Sequence, residues 1–326
     1  MVTDRAVRSL EWPRWRDLRK IAFKFYLRVL ASFSRLSLPK KDDLHTMIED
    51  STVPEPDMQA GIDYWASQPA NYDGVLGGFG EGSLPRIDAL GSRQFLLYLM
   101  PELSIVPSAI RTLAEPEELS HRLRALDVGA GVGRVTADVL LHLVSDVVLV
   151  EPVESLVKEA LSRGRASEVI IGKADATFVP WKGISAKTKS VSFIQDTLQG
   201  IEPSRPSRSP TFLDRVGYIP DHSDLDDPFD IIWCQWCLGS LSDADLVAFL
   251  RRSRSSLRDP NKSLIIVKEN CCADDDEEPR SVFDETDSSI TRSDLAWKKA
   301  FKDARLTLVH EQVQRGFPEG LYTVKM

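Results

Sequence analysis

The run Ala125-Leu126-Asp127-Val128-Gly129-Ala130-Gly131-Val132-Gly133-Arg134-Val135-Thr136 carries an apolar strand into a glycine-rich turn and then into a helix. Glycine there lets the backbone bend tightly and lets a ligand approach main-chain N–H groups at a helix N-terminus. Dinucleotide-binding turns share that physics, but the spacing here is D-x-G-x-G-x-G rather than G-x-G-x-x-G. Asp127 would repel a pyrophosphate, whereas it can hydrogen-bond through water to a ligand bearing an ammonium. That chemistry favours S-adenosyl-L-methionine over NAD. Glu151 ends the next apolar run, where a carboxylate can accept both ribose hydroxyls of either cofactor. Arg134 opens the helix after the turn, where its guanidinium can pair with a cofactor carboxylate or remain a solvated helix residue.

The elements that must hold these residues alternate. Strands are expected at Arg124–Val128, Val147–Glu151, Val191–Gln195, Phe229–Trp233, Leu264–Lys268, Thr307–Gln312 and Leu321–Lys325, with helical patterns between them. A helical stretch from about Ile62 to Glu102 precedes them. The alternation demands a mostly parallel sheet covered on both faces, an α/β, Rossmann-like architecture. Two stretches, about 165–189 and 203–228, break the rhythm. The second is rich in Ser, Pro and Asp and reads as a surface insertion.

In this chain of 326 residues, division is expected between a basic N-terminal extension and linker (1–56) and one catalytic domain (57–326). Residues 1–41 hold eleven Lys and Arg against three Asp and Glu, so a net charge of −8 leaves a body of about −16. An acidic body argues against nucleic acid as main partner and for a basic substrate. Residues 14–37 read as a basic amphipathic helix, either a targeting or membrane-surface segment or a helix packed on the domain. No apolar run is long enough to span a bilayer. Cys234 and Cys237 would point to opposite faces of their strand, which suits buried thiols in a reducing compartment better than a zinc site.

Further blocks carry a resemblance. From about Gly61 onward the chain resembles the eukaryotic α-N-terminal protein methyltransferases, which methylate the amine of proteins beginning X-Pro-Lys. The blocks are Tyr64-Trp65, Tyr72-Asp73-Gly74-Val75-Leu76-Gly77-Gly78-Phe79-Gly80, the glycine turn, Leu198-Gln199, Phe229 through Trp236, Phe249-Leu250-Arg251-Arg252, Lys268-Glu269-Asn270, Phe283 through Ser289, and Leu321-Tyr322. The resemblance implies a seven-stranded-type S-adenosylmethionine-dependent methyltransferase fold with an N-terminal helical extension. It implies cofactor contacts from Val75, Gly77, Gly129, Arg134, Glu151, Pro152, Leu198, Gln199 and Gln235, and an acceptor groove from Leu76, Trp236, Asn270, Asp284, Asp287, Ser289 and Tyr322.

Methyl transfer from a sulfonium is an in-line displacement, so the enzyme must position a neutral amine and remove its proton. An α-amine with a pKa of roughly 7.7–8.0 needs only a modest base. Asp287 is the candidate base and Asn270 the orienting group. Asp284 with Ser289 would face a substrate lysine, and Trp236 would wall a proline ring. Two positions depart from the family pattern. Ser240 stands where the family carries a histidine that assists deprotonation, and the chain ends at Met326, a few residues before the family's last strand ends. The competing expectations are another acceptor on the same fold, or a paralogue that binds cofactor or peptide without turnover. The expected state is a monomer or weak homodimer in cytoplasm and nucleus, with organelle targeting through the basic segment as the alternative.

Overall fold

The computed structural model describes residues 53–104, 121–169 and 178–326, so the expected basic helix and most of the linker lie outside the described residues. Among the described residues nine strands form one sheet in the order β4-β3-β2-β1-β5-β6-β8-β7, with β9 paired to β6. In chain order they are β1 (Arg124–Val128), β2 (Asp146–Val150), β3 (Ser190–Ile194), β4 (Phe212–Gly217), β5 (Ile231–Gln235), β6 (Leu264–Cys272), β7 (Ser281–Asp284), β8 (Ser289–Ser293) and β9 (Thr323–Lys325). β3, β2, β1, β5 and β6 pair in parallel, while β4 and β9 run antiparallel to their partners.

β1, β2, β3 and β5 are buried at every position. Runs such as Val147-Val148-Leu149-Val150 require this, since both faces of a parallel sheet are covered. On one face α3 (Leu84–Leu99), α4 (Arg134–Asp138) and α5 (Glu154–Glu168) pack over Ala125, Leu149, Phe193 and Trp233. On the other, α6 (Asp243–Ser255) and α7 (Asp294–Asp303) cover Leu126, Val148, Ile232 and Cys234. Ser242 and Ser293 cap these last two helices by accepting N–H bonds from their first turns.

The stretch expected as helical from Ile62 to Glu102 is broken. It becomes α1 (Met58–Ser67), α2 (Tyr72–Val75) and α3, interrupted at Pro69 and at Gly77 and Gly78, whose φ values are +58° and +88°. Ile62, Trp65, Tyr72 and Val75 pack on Val132, Val153 and Leu156. The two short helices thereby lie over the glycine turn.

Neither expected insertion is surface throughout. In the first, α5 runs to Glu168, and Trp181 and Ile184 are buried in the core. In the second, Phe212–Gly217 forms β4, an antiparallel edge strand on β3. An edge strand needs little apolar sequence: here Val216 is buried, while Arg215 is held by Asp224 and by Ser190 Oγ. The strand expected at Thr307–Gln312 does not form. Leu308 and Val309 are exposed there, and Gln312 exchanges backbone hydrogen bonds with Met326.

Gly217 ends β4 at φ +85°, and a Cβ there would lie 2.1 Å from the Lys189 carbonyl oxygen. Gly217→Ala should therefore destabilise the protein by about 1–3 kcal/mol. A lower urea midpoint at unchanged m-value is the expected result, and a wild-type midpoint would mean that β4 is not part of the cooperative unit.

Candidate active site

A cavity of about 510 Å³ opens at the carboxyl ends of β1, β5 and β6. β2 and β5 leave β1 on opposite sides, so this is the switch point at which open α/β sheets bind ligands. Gly129, Gly131 and Gly133 take φ of +60°, +56° and +76°, values that β-carbon-bearing residues rarely adopt. A Cβ at Gly129 would meet Cys237 Cβ at 2.3 Å, so glycine is also a packing requirement there. The Gly131 N–H donates to Glu151 Oε2 at 2.8 Å, and the Val153 N–H donates to Oε1 at 2.9 Å. Burial nevertheless pushes the Glu151 carboxyl up to about 7, against those two N–H donors. Burial likewise raises Asp127 to about 7, although Thr136 Oγ1 donates to it at 2.6 Å.

Arg134 is held by Asp88, which sequence reasoning did not single out. Its Nη1 lies 2.5 Å from Asp88 Oδ2, and Lys268 Nζ lies 2.6 Å from Oδ1. Gln235 Nε2 donates to both Asp88 oxygens at 3.0 Å, while Trp233 Nε1 donates to Gln235 Oε1 at 3.0 Å. The Gln235 amide is thus committed to these partners, although its side chain borders the cavity. Burial would raise the Asp88 carboxyl, but the Arg134 and Lys268 cations outweigh it and hold the group below its usual value.

The remaining residues expected around the cofactor, Val75, Gly77, Pro152, Leu198 and Gln199, line the same cavity. Arg252 Nη2 donates to the Leu198 carbonyl at 2.8 Å and so fixes the bend after β3. Leu76, Trp236, Asn270, Asp287, Ser289 and Tyr322 also line it. Ser289 Oγ donates to Asp287 Oδ1 at 2.6 Å. Burial, assisted by nearby Asp284, raises the Asp287 carboxyl above its usual value, while Ser289 opposes the shift. Asp284 itself is exposed and does not line the cavity; its Oδ1 accepts the Thr286 N–H at 2.8 Å. It sits at the end of β7, one residue outside the turn that carries Asp287 inward. Ser240 borders the cavity, and its hydroxyl donates to the Cys237 carbonyl at 2.8 Å.

Two non-glycine residues beside the site adopt left-handed backbone: Trp236 and Ser288, each at φ +53°. Glu269 holds the first turn by accepting the Cys237 and Leu238 N–H groups at 2.9 and 3.0 Å. Ser288 Oγ accepts the Asp57 N–H at 2.8 Å, tying the start of α1 to the second. Glu269 and Phe317, both at the cavity wall, escaped sequence reasoning, although Glu269 lies inside a block quoted for the resemblance. Cys234 is buried in the core and Cys237 follows the end of β5; burial raises both thiols well above their usual value.

The donor set fits a nucleoside cofactor with an amino-acid tail: an acceptor carboxylate at Glu151, a guanidinium at Arg134, and glycines that open the turn. Fold and site together define an S-adenosylmethionine-dependent methyltransferase. The chain belongs to the AdoMet-dependent proline di-methyltransferase family, which matches residues 55–180 and 214–326. It is 35% identical over 273 residues to alpha N-terminal protein methyltransferase 1 of Schizosaccharomyces pombe, covering 84% of this chain and 95% of that one. N-terminal Xaa-Pro-Lys N-methyltransferase 1 of Danio rerio is 30% identical over 80% of this chain and 89% of its own length. A solved SAM-dependent methyltransferase of Leishmania major superposes with a TM-score of 0.56 at 28% identity, covering 82% of this chain and 80% of that one.

Ribose hydroxyls donate better to a carboxylate than to a carboxylic acid, so cofactor binding should favour ionised Glu151 and lower its pKa from about 7. The sign follows: affinity rises with pH through that value, by up to about tenfold per unit below it. Calorimetry between pH 6 and 8.5 should show this slope in wild type and a flatter one, with weaker binding, in Glu151→Gln. Equal slopes would remove Glu151 from the ribose.

Proposed function

We propose that this methyltransferase modifies the α-amino group of proteins beginning X-Pro-Lys, as the names of its relatives state for them. One observation carries the reading: Asp287, with its raised pKa, lies with Asn270 and Trp236 on the cavity that also holds Arg134 and Glu151. The cofactor, when bound, supplies an electrophilic methyl on its sulfonium. Asp287 accepts the proton of the incoming ammonium through its carboxylate, and Ser289 keeps that carboxylate oriented. Asn270 orients the amine through its amide oxygen, and Trp236 offers the proline a flat apolar surface. Asp284 meets the third-residue lysine at an exposed rim, where an ion pair contributes at most about 1 kcal/mol.

The reading extends to a cytoplasmic and nuclear location, with organelle targeting through the basic segment as the alternative, and to a monomer or weak homodimer. Among the described residues no helix is long and apolar enough to cross a membrane. A second reading, a paralogue that binds peptide without turnover, draws on Ser240, whose hydroxyl serves the Cys237 carbonyl and is no base at neutral pH. Mass spectrometry of an X-Pro-Lys peptide incubated with labelled cofactor separates the two: methyl incorporation supports the enzyme, and bound but unmodified peptide supports the paralogue.

Within the enzyme reading, Asp287→Asn should abolish turnover while cofactor affinity stays at wild type, because the amide keeps the shape and loses the basic oxygen. Ser240→Ala should change the rate by less than about tenfold, and Ser240→His should raise it most at the acidic end of a pH 6–9 profile, where neutral amine is scarce. Turnover surviving in Asp287→Asn would reassign the base.

Asp284→Asn should raise the peptide KM only about two- to fivefold, as suits an exposed pair. A hundredfold rise would place the lysine in a drier site than this rim.

A further inference from the structure

We propose that Phe317 is the second wall of the acceptor slot and sets the preference for proline at the substrate's second position; this rests on the X-Pro-Lys reading. Phe317 lies on the loop that leads into β9, between Gly316 at φ +87° and Gly320 at φ +91°. It borders the cavity and is only half-buried. Its ring centroid is 6.2 Å from that of Trp236, with the two planes inclined at 45°. Two flat apolar surfaces at that angle make a notch rather than a sandwich. A proline ring suits such a notch, because it is rigid and apolar and carries no N–H that the walls would leave without an acceptor.

The ring is held in place. Lys268 Nζ lies 5.9 Å from its centroid, within range of a cation–π contact. The same ammonium donates to Gln314 Oε1 at 2.9 Å, which ties the root of the loop to β6. Trp236 is fixed in the corresponding way: Arg134 lies over its ring at 5.4 Å, and its backbone is locked in the left-handed region. Both cations belong to Asp88. The notch is therefore built before substrate arrives, and it costs little ordering on binding.

The test compares kcat/KM on two peptides differing only in proline or alanine at the second position, in wild type, Phe317→Ala and Phe317→Leu, with cofactor Kd measured alongside. Wild type should prefer proline by at least about tenfold, the discrimination an apolar pocket gives for a few carbons. Phe317→Ala should raise KM for the proline peptide about tenfold and reduce the preference to about twofold, with cofactor Kd unchanged, as expected for lost peptide binding. Phe317→Leu should fall between, which keeps the test decisive if the alanine variant does not fold. A full proline preference retained in the variants, or an equal loss on both peptides together with weakened cofactor binding, overturns the proposal. Wild type that methylates neither peptide overturns the acceptor reading itself, and the slot with it.

Discussion

One buried carboxylate joins the parts of this enzyme. Asp88 comes from α3, Arg134 from the helix after the glycine turn, Gln235 from the end of β5 and Lys268 from β6, and all four meet within hydrogen-bond distance. Asp88 and Lys268 are wholly buried, so neither charge can be relieved by water. Removing the carboxylate would strand two cations, and breaking a buried pair typically costs about 3–5 kcal/mol. The charge cluster anchors α3 to the sheet, while apolar packing holds α1 and α2 over the glycine turn.

The cluster reaches the cavity through Arg134 and Gln235, so by our proposal it bears on both cofactor and acceptor. Arg134 borders the cavity and also lies over Trp236, while Lys268 lies over Phe317. Displacement of either cation would disturb an aromatic wall. The backbone beside the cavity is strained as well: Trp236 and Ser288 in the left-handed region each cost about 1–3 kcal/mol. Glu269 and the Asp57–Ser288 bond hold these conformations.

Local patterns were legible in the sequence, and long-range ones were not. The glycine turn, Glu151 and the central strands follow from short-range spacing, and they appear where that spacing puts them, with strand starts displaced by a residue or two. Asp88 pairs with groups 46, 147 and 180 residues away, so no window on the sequence reveals it. Phe317 sits in a polar loop whose meaning depends on Trp236, far upstream. β4 was hidden because charge pairs hold that edge strand, so its composition mimics a loop. Asp284 and Asp287 share one block and look alike in sequence, yet the tight turn before β8 leaves Asp287 half-buried on the cavity and Asp284 exposed.

The electrostatics of the cavity favour cationic ligands. Asp127, Glu151 and Glu269 all border it, and burial raises each to about 7. A carboxyl whose folded pKa exceeds its unfolded value stabilises the fold below the unfolded value, near 4, and loses that contribution as pH rises through about 7. These three carboxyls therefore contribute least to stability above about pH 7. S-adenosylmethionine brings a sulfonium and an ammonium, and the proposed acceptor, a protein N-terminus, brings another ammonium. Each cation entering near an ionised carboxyl recovers part of the desolvation cost. The excess negative charge of the catalytic body thus has a local counterpart: three buried acids that are cheap to keep only when protonated or when positive ligands are bound.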